Sequence, residues 1–263
     1  MASRPSHPSP SVVDRLREAG CVYADDETAL LVEAAQSAAD LATMVDRRVD
    51  GEPLEHILGW ADFCGTRIAV APGVFVPRPR SELLARASID AADPGSVVVD
   101  LCCGSGAIGV VVAHEVAYVD LHAVDVDPAA TRCARRNLAA VGGQVYDGDL
   151  FAPLPTRLRG RVDVVVANAP YVPTRAIRLL PPEARRHEAP VALDGGTDGL
   201  DVLRRVVRAA PGWLAPAGTL LVEASDAQAA AVLALFNDAG LTPQVVTDEE
   251  LDATVVLGSR ERG

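Results

Sequence analysis

The sequence predicts an α/β protein: a seven-stranded, mostly parallel Rossmann-like sheet, preceded by a small helical region and a connecting β-hairpin. Three observations lead there. Before residue 50, apolar residues recur every three or four positions. After residue 96, short β-branched runs alternate with helical stretches. The first of those runs ends in a glycine-rich loop, "VVVDLCCGSGAIG".

Taken in order, the chain opens with "MASRPSHPSPS", which lacks the apolar stretch of a signal peptide; residues 1–10 read as a disordered tail. From Val12 to about Val49 the period is helical, carried by Leu30, Leu31, Ala34, Ala35, Ala38, Leu41 and Val45. The acids of "DDET" at 25–28 suit a helix N-terminus, and "DGEP" at 50–53 breaks the pattern. Residues 11–58 are therefore expected to form a helical N-terminal domain. "GWADFCGTRIAVAPG" alternates on both sides of Gly65 and predicts a hairpin; with "VFVPRPR" it makes a connector over 59–80. A helix over about Ser81–Ala91 opens the main domain, 81–263. Strands are predicted at 97–101, 120–126, 143–148, 162–168, 218–224, 242–247 and 253–258. Helices fall at about 107–115, 128–140, 198–210 and 226–238, with Pro128 well placed in a first helical turn. The last two strands are joined by a short loop, so one of them runs antiparallel to the rest. Open sheets of this kind take their ligands at the carboxyl ends of the strands.

Composition narrows the partners. The chain has 263 residues, 49% of them hydrophobic, enough for a sizeable core. Its net charge of −12 argues against generic nucleic-acid binding, which draws on clustered basic side chains. All 24 Lys+Arg residues are arginine. Four of them, Arg175, Arg178, Arg185 and Arg186, lie between Val172 and His187 beside one acid, Glu183. They read as a solvated loop-helix, with a basic rim for an acidic or RNA-bound partner as the sharper alternative. Five cysteines, an odd number with no C-x-x-C pair, point away from a disulfide framework or a zinc site, and no metal is expected. No apolar run reaches ~18 residues, so no membrane span is predicted; the cytoplasm is the expected location.

The glycine loop places Asp100 at the end of the first strand, then Gly104, Gly106 and Gly109 in the G-x-G-x-x-G pattern. That pattern alone fits both NAD-binding proteins and methyltransferases that use S-adenosyl-L-methionine. The neighbouring acids sharpen it. Adenosylmethionine has no phosphate but carries an ammonium group and a sulfonium, so carboxylates such as Asp100 suit it better than a pyrophosphate. Asp125 ends the second strand, in position for ribose hydroxyls. Asp149 follows the third strand in "DGDLF", where it could accept from an adenine amino group with Leu150 or Phe151 against the ring. Helix-cap or turn roles are the plain alternatives for Asp125 and Asp149. Cys102 and Cys103 read as small residues tolerated beside the cofactor.

The fourth strand ends in "NAPY", Asn168 to Tyr171. An asparagine offers one carbonyl acceptor and an NH₂ donor group. Ala169 precedes Pro170 and is pushed into the extended region, which restricts its carbonyl direction. The Asn168 side-chain oxygen and the Ala169 carbonyl could together hold one NH₂ group, with Tyr171 as a flat wall tolerant of positive charge. This suits methylation of a planar, weakly nucleophilic nitrogen: an amide or an exocyclic base amine.

Beyond these motifs the chain resembles the HemK-type protein-glutamine methyltransferases from about Gly51 to Leu257. The resemblance rests on "GEPLEHILGWADFCG", "PGVFVPRPRSE", "DLCCGSGAIG", "NAPY" and "EAPVALDGGTDGL". It implies the seven-stranded methyltransferase fold, the S-adenosyl-L-methionine cofactor, a helical N-terminal domain that helps hold the protein substrate, and Asn168 with the Ala169 carbonyl as amide ligands. It also implies the partner: a peptide-chain release factor, modified at the glutamine of a Gly-Gly-Gln motif. Three departures accompany it. Ala169 stands where the family has proline, Arg80 where it has an acid, and the helical region before Gly51 is short. The same chemistry on another protein, or on a nucleic-acid amine, is the alternative.

Overall fold

The structure, a computed structural model, describes residues 11–260; the tail expected at 1–10 lies outside them. The N-terminal region comprises α1 (Val12–Glu18), α2 (Ala24–Ala34), α3 (Ala38–Val49) and α4 (Leu54–Leu58). The single helical rhythm expected over 12–49 is thus divided. Ser37 caps α3, its hydroxyl accepting from the Asp40 N–H at 3.1 Å, so Ala34 and Ala38 stand exposed on either side of the break. Leu16, Leu31, Met44, Val45 and Ile57 close a separate small core. Asp25, Asp26 and Glu27 occupy the first turn of α2, where their charge complements the helix dipole.

The hairpin pairs β1 (Trp60–Phe63) with β2 (Thr66–Ala69), and a 3₁₀ turn over Pro79–Ser81 leads into α5 (Glu82–Asp90). The remainder runs β3 (Val97–Leu101), α6 (Ala107–Glu115), β4 (Asp120–Asp125), α7 (Pro128–Leu138), β5 (Gln144–Asp147), β6 (Val162–Ala167), α8 (Pro182–His187), α9 (Asp201–Ala209), β7 (Leu214–Ala224), α10 (Asp226–Asp238), β8 (Leu241–Asp248) and β9 (Ala253–Arg260). Every strand and helix expected after residue 96 is present; the short α8 between β6 and α9 falls in the arginine-bearing stretch that reads as a solvated loop-helix without bounds of its own. Its six residues hold too little pattern to stand out.

The seven strands lie in the order β5-β4-β3-β6-β7-β9-β8. All pairings are parallel except those of β9, which inserts antiparallel between β7 and β8 because a short loop joins it to β8. Alternation along the central strands sends Val98, Val164, Val166 and Leu221 to the face covered by α5, α6 and α7. Val99, Leu101, Val165 and Leu220 go to the other face, under α9 and α10. Burial on both faces explains why these strands read as continuous apolar runs.

Candidate active site

Strand order reverses between β3 and β6, and the loops after both strands open into one cleft of about 680 Å³. Such a switch point is where doubly wound sheets receive ligands. Of the residues singled out in the glycine loop, the two acidic strand ends and the Asn168 turn, all but Gly106, Gly109 and Phe151 line this cleft.

The glycine loop is built on left-handed backbone at Cys102, Gly104 and Gly106, with φ of 55°, 54° and 79°. Gly106 begins α6, and a Cβ there would press to 3.3 Å on Ala134 and Leu138. It therefore serves the packing of the loop on α7 rather than the cleft surface. The Asp100 carboxylate accepts from the Gly109 N–H at 3.2 Å, the one protein hydrogen bond to it among the described residues. Burial pushes the Asp100 carboxyl up to about 7, with the Gly109 bond opposing and the Asp125 charge adding. A buried acid facing a cleft with so little protein partnership is matched to a cationic ligand.

Asp125 ties the loop to the end of β4. One oxygen accepts from the Gly104 N–H at 2.9 Å, the other from the Asp127 N–H at 2.9 Å. Burial raises its pKa and these bonds oppose the rise. Asp127, not Asp125, caps α7, accepting from the Ala129 N–H at 2.8 Å. Asp149 pairs with Arg205 of α9. Leu150 has φ of 50° and lines the cleft, and this reversal sends the next side chain inward. Phe151, expected against a cofactor ring, instead stacks on Trp213 in the core with centroids 5.4 Å apart, which leaves Leu150 as the member of the pair on the cleft wall.

The Asn168 turn is anchored by a chain of side chains from three distant segments. The Asn168 Nδ2 donates to Ser81 Oγ at 3.0 Å, and Ser81 Oγ donates to Glu223 Oε2 at 2.6 Å. The Tyr171 hydroxyl donates to Glu223 Oε1 at 3.0 Å and accepts from Arg80 at 3.4 Å. Glu223, at the end of β7, is 2% exposed; burial raises its pKa while the Ser81 and Tyr171 bonds hold it down. Burial and the Glu223 charge push the Tyr171 phenol well above its usual range. Ala169 is almost wholly buried at the cleft floor.

A glycine-bearing loop clasps the same turn. The Gly195 N–H donates to the Val172 carbonyl at 2.9 Å, and the Thr174 N–H to the Gly196 carbonyl at 2.9 Å. Gly199 approaches so closely that a Cβ would lie 2.2 Å from the Tyr171 carbonyl oxygen. At the rim, Glu188 is buried and holds Arg78 of the connector, and Glu183 of α8 pairs with Arg48 of α3. Arg175, Arg178, Arg185 and Arg186 are exposed and form no ion pair among the described residues.

Sequence reading did not single out Ser81, Glu223, Arg205 or the clasping glycines as working residues. Glu223 had a signal: an acid inside the apolar run "TLLVEA" has to be satisfied by partners. Ser81 and Arg205 had none, because their partners lie 142 and 56 residues away. Among the described residues no group of three His, Cys, Asp or Glu side chains could hold a metal, and no helix is long and apolar enough to cross a membrane.

Comparison with known proteins agrees with this architecture. A family model described as the methyltransferase small domain matches residues 66–183. The release factor glutamine methyltransferase of Geobacter sulfurreducens is 37% identical over 219 residues, covering 82% of this chain and 76% of that protein. The 4-amino-L-phenylalanine/4-methylamino-L-phenylalanine methyltransferase of Streptomyces pristinaespiralis is 40% identical over 203 residues, covering 74% of this chain and 69% of that one. In fold, a methyltransferase from Pyrococcus furiosus superposes with a TM-score of 0.57 at 16% identity, over 76% of this chain and 91% of that chain. S-adenosyl-L-methionine is the cofactor, and the buried, sparsely bonded Asp100 facing the cleft fits its positive charge. The chain is an α/β methyltransferase and belongs to the release factor glutamine methyltransferase family.

Proposed function

We propose that the protein transfers a methyl group from S-adenosyl-L-methionine to the side-chain amide nitrogen of a glutamine in a peptide-chain release factor, within its Gly-Gly-Gln motif. One observation carries this reading. The Asn168 NH₂ is spent on Ser81 at 3.0 Å, so its carbonyl oxygen is the end left to accept, in a cleft shared with the loop after β3.

When bound, S-adenosyl-L-methionine supplies an electrophilic methyl group on a sulfonium centre. Asp100 and the Cys102–Gly104 backbone would hold its amino-acid end, Asp125 its ribose hydroxyls, and Asp149 with Leu150 its adenine. The acceptor amide has a delocalised lone pair and is a poor nucleophile. The Asn168 side-chain oxygen and the Ala169 carbonyl would accept its two hydrogens, favour a tetrahedral nitrogen and stabilise the charge that develops there. Pro170 stiffens the turn, and the Tyr171 ring walls the site. No general base is required, because the nitrogen becomes acidic as it is alkylated. Residues 11–58 would seat the protein substrate, 59–80 connect, and 81–263 carry the chemistry. A release factor is met in the cytoplasm, which is the location this reading assigns.

The Streptomyces pristinaespiralis relative favours a second reading, an aryl amine, whose nitrogen lone pair is delocalised in the same way. Labelled methyl donor offered with a release factor or with 4-amino-L-phenylalanine separates the two. The expected kcat/KM favours the release factor by at least about a hundredfold. A preference for the aryl amine would replace the glutamine reading. Calorimetry supplies the cofactor control: S-adenosylhomocysteine binds and NAD does not. The reverse would remove methyl transfer altogether.

A further inference from the structure

We infer that Ser81 and Glu223 are positioning residues that set which way round the Asn168 amide stands. The inference rests on the methyl-transfer reading above. A serine hydroxyl has one proton to give. Here it is directed to Glu223 Oε2 at 2.6 Å, and Glu223 is buried with its other oxygen taken by Tyr171 at 3.0 Å. The Ser81 oxygen is thereby left only as an acceptor. The side-chain atom of Asn168 that meets it at 3.0 Å must be a donor, hence the NH₂. Reversing the amide would bring two acceptor oxygens together with no proton between them. The carbonyl end of Asn168 is therefore committed to the cleft, where it can take a hydrogen from an incoming NH₂ group.

The parts come from separate places: Ser81 from the 3₁₀ turn before α5, Glu223 from the end of β7, Asn168 and Tyr171 from the turn after β6. No local rule of the Asn168 turn requires a carboxylate from β7. Glu223 lines no part of the cleft, so it acts on substrate only through Ser81 and Tyr171. Ala169 leaves Asn168 without the stiffening of a following proline, and the Ser81 bond supplies an orientation constraint that the backbone does not. Substrate selection follows as well: an acceptor must present hydrogens, since a committed carbonyl rejects a tertiary amide or an unprotonated ring nitrogen.

The chain contains only three asparagines, Asn137, Asn168 and Asn237, so selective ¹⁵N-asparagine labelling gives a readable set of side-chain NH₂ signals. In Ser81→Ala the Asn168 pair is expected to shift and to exchange with water faster, while Asn137 and Asn237 stay in place. With a release factor as acceptor, kcat falls about tenfold to a hundredfold, the worth of one charge-assisted hydrogen bond, at unchanged KM. Ser81→Thr, which keeps the hydroxyl, restores both. Glu223→Gln leaves one acceptor for two hydroxyl donors and lowers kcat at unchanged S-adenosylhomocysteine affinity. A Ser81→Ala protein with wild-type kcat overturns the inference, as does an unmoved Asn168 signal or a failure of Ser81→Thr to rescue. A folded wild type that methylates no glutamine counts against the function proposed above and leaves the amide signals to decide this point.

Discussion

The Arg48 guanidinium of α3 pairs with Glu183 of α8 across 135 residues of sequence, joining the N-terminal helices to the rim of the cleft. Arg48 also holds Glu27 of α2 at 2.6 Å, with side-chain exposures of 9% and 11%. Burial works against its charge, and the two carboxylates more than restore it. Removing one partner of a buried pair strands the other. Arg48→Ala is expected to destabilise the protein by about 3 kcal/mol, read from urea unfolding. Glu183, at 43% exposure, is worth less, and Glu183→Gln should cost under about 1 kcal/mol. Equal effects would show that Glu27 is not the buried dependant.

Asn168→Ala removes the acceptor oxygen without touching the glycine loop. Turnover is expected to fall by about a hundredfold or more, in line with loss of a transition-state hydrogen bond. Affinity for S-adenosylhomocysteine, measured by calorimetry, should stay within a few-fold of wild type. Unchanged turnover would remove Asn168 from the acceptor site.

Gly199 lies at φ of 82°, and a Cβ there would meet the Tyr171 carbonyl oxygen at 2.2 Å. Gly199→Ala must therefore displace the Asn168–Tyr171 turn or strain its own backbone, at a cost of about 2 kcal/mol. Misplacing a substrate-positioning turn by about 1 Å is enough to lose about a hundredfold in rate. The expected signature is a fall in kcat far larger than any change in cofactor affinity. Wild-type kcat in this variant would mean the clasp does not locate the turn.

The raised pKa of Asp100, about 7, has two consequences with definite sign. A folded-state acid above its unfolded value binds more protons than the unfolded chain between about 3.8 and 7, so folding stability declines as pH rises through that window. Binding of a cationic donor behaves oppositely, because it needs the ionised form. Affinity for S-adenosyl-L-methionine should climb from pH 5.5 and level off just above about 7. Asp100→Asn should flatten both slopes. Calorimetric titrations across this range check the prediction; a pH-independent affinity in the wild type contradicts it.

Most of the sheet was legible because its strands are short β-branched runs separated by helices, and buried parallel strands need no subtler pattern. Asp100, Asp125 and Asn168 were legible for the same reason: each stands at the end of such a strand, and strand ends define the cleft. Phe151 was misread because the left-handed backbone at Leu150 turns consecutive side chains to different sides, which composition does not announce. The break at Ser37 was hidden in an alanine-rich stretch whose period continues across it. Glu223 and Ser81 escaped because their meaning lies in each other, 142 residues apart. Side chains that hold a working residue in place leave a weaker mark on sequence than the residue they hold.

Tandem mass spectrometry of a release factor, after incubation with the protein and methyl-deuterated S-adenosyl-L-methionine, tests the central claim most directly. The account predicts one labelled methyl on the side-chain nitrogen of the glutamine in the Gly-Gly-Gln loop, absent with the Asn168→Ala protein. A methyl on any other atom of that factor, or an equal yield with Asn168→Ala, would contradict it.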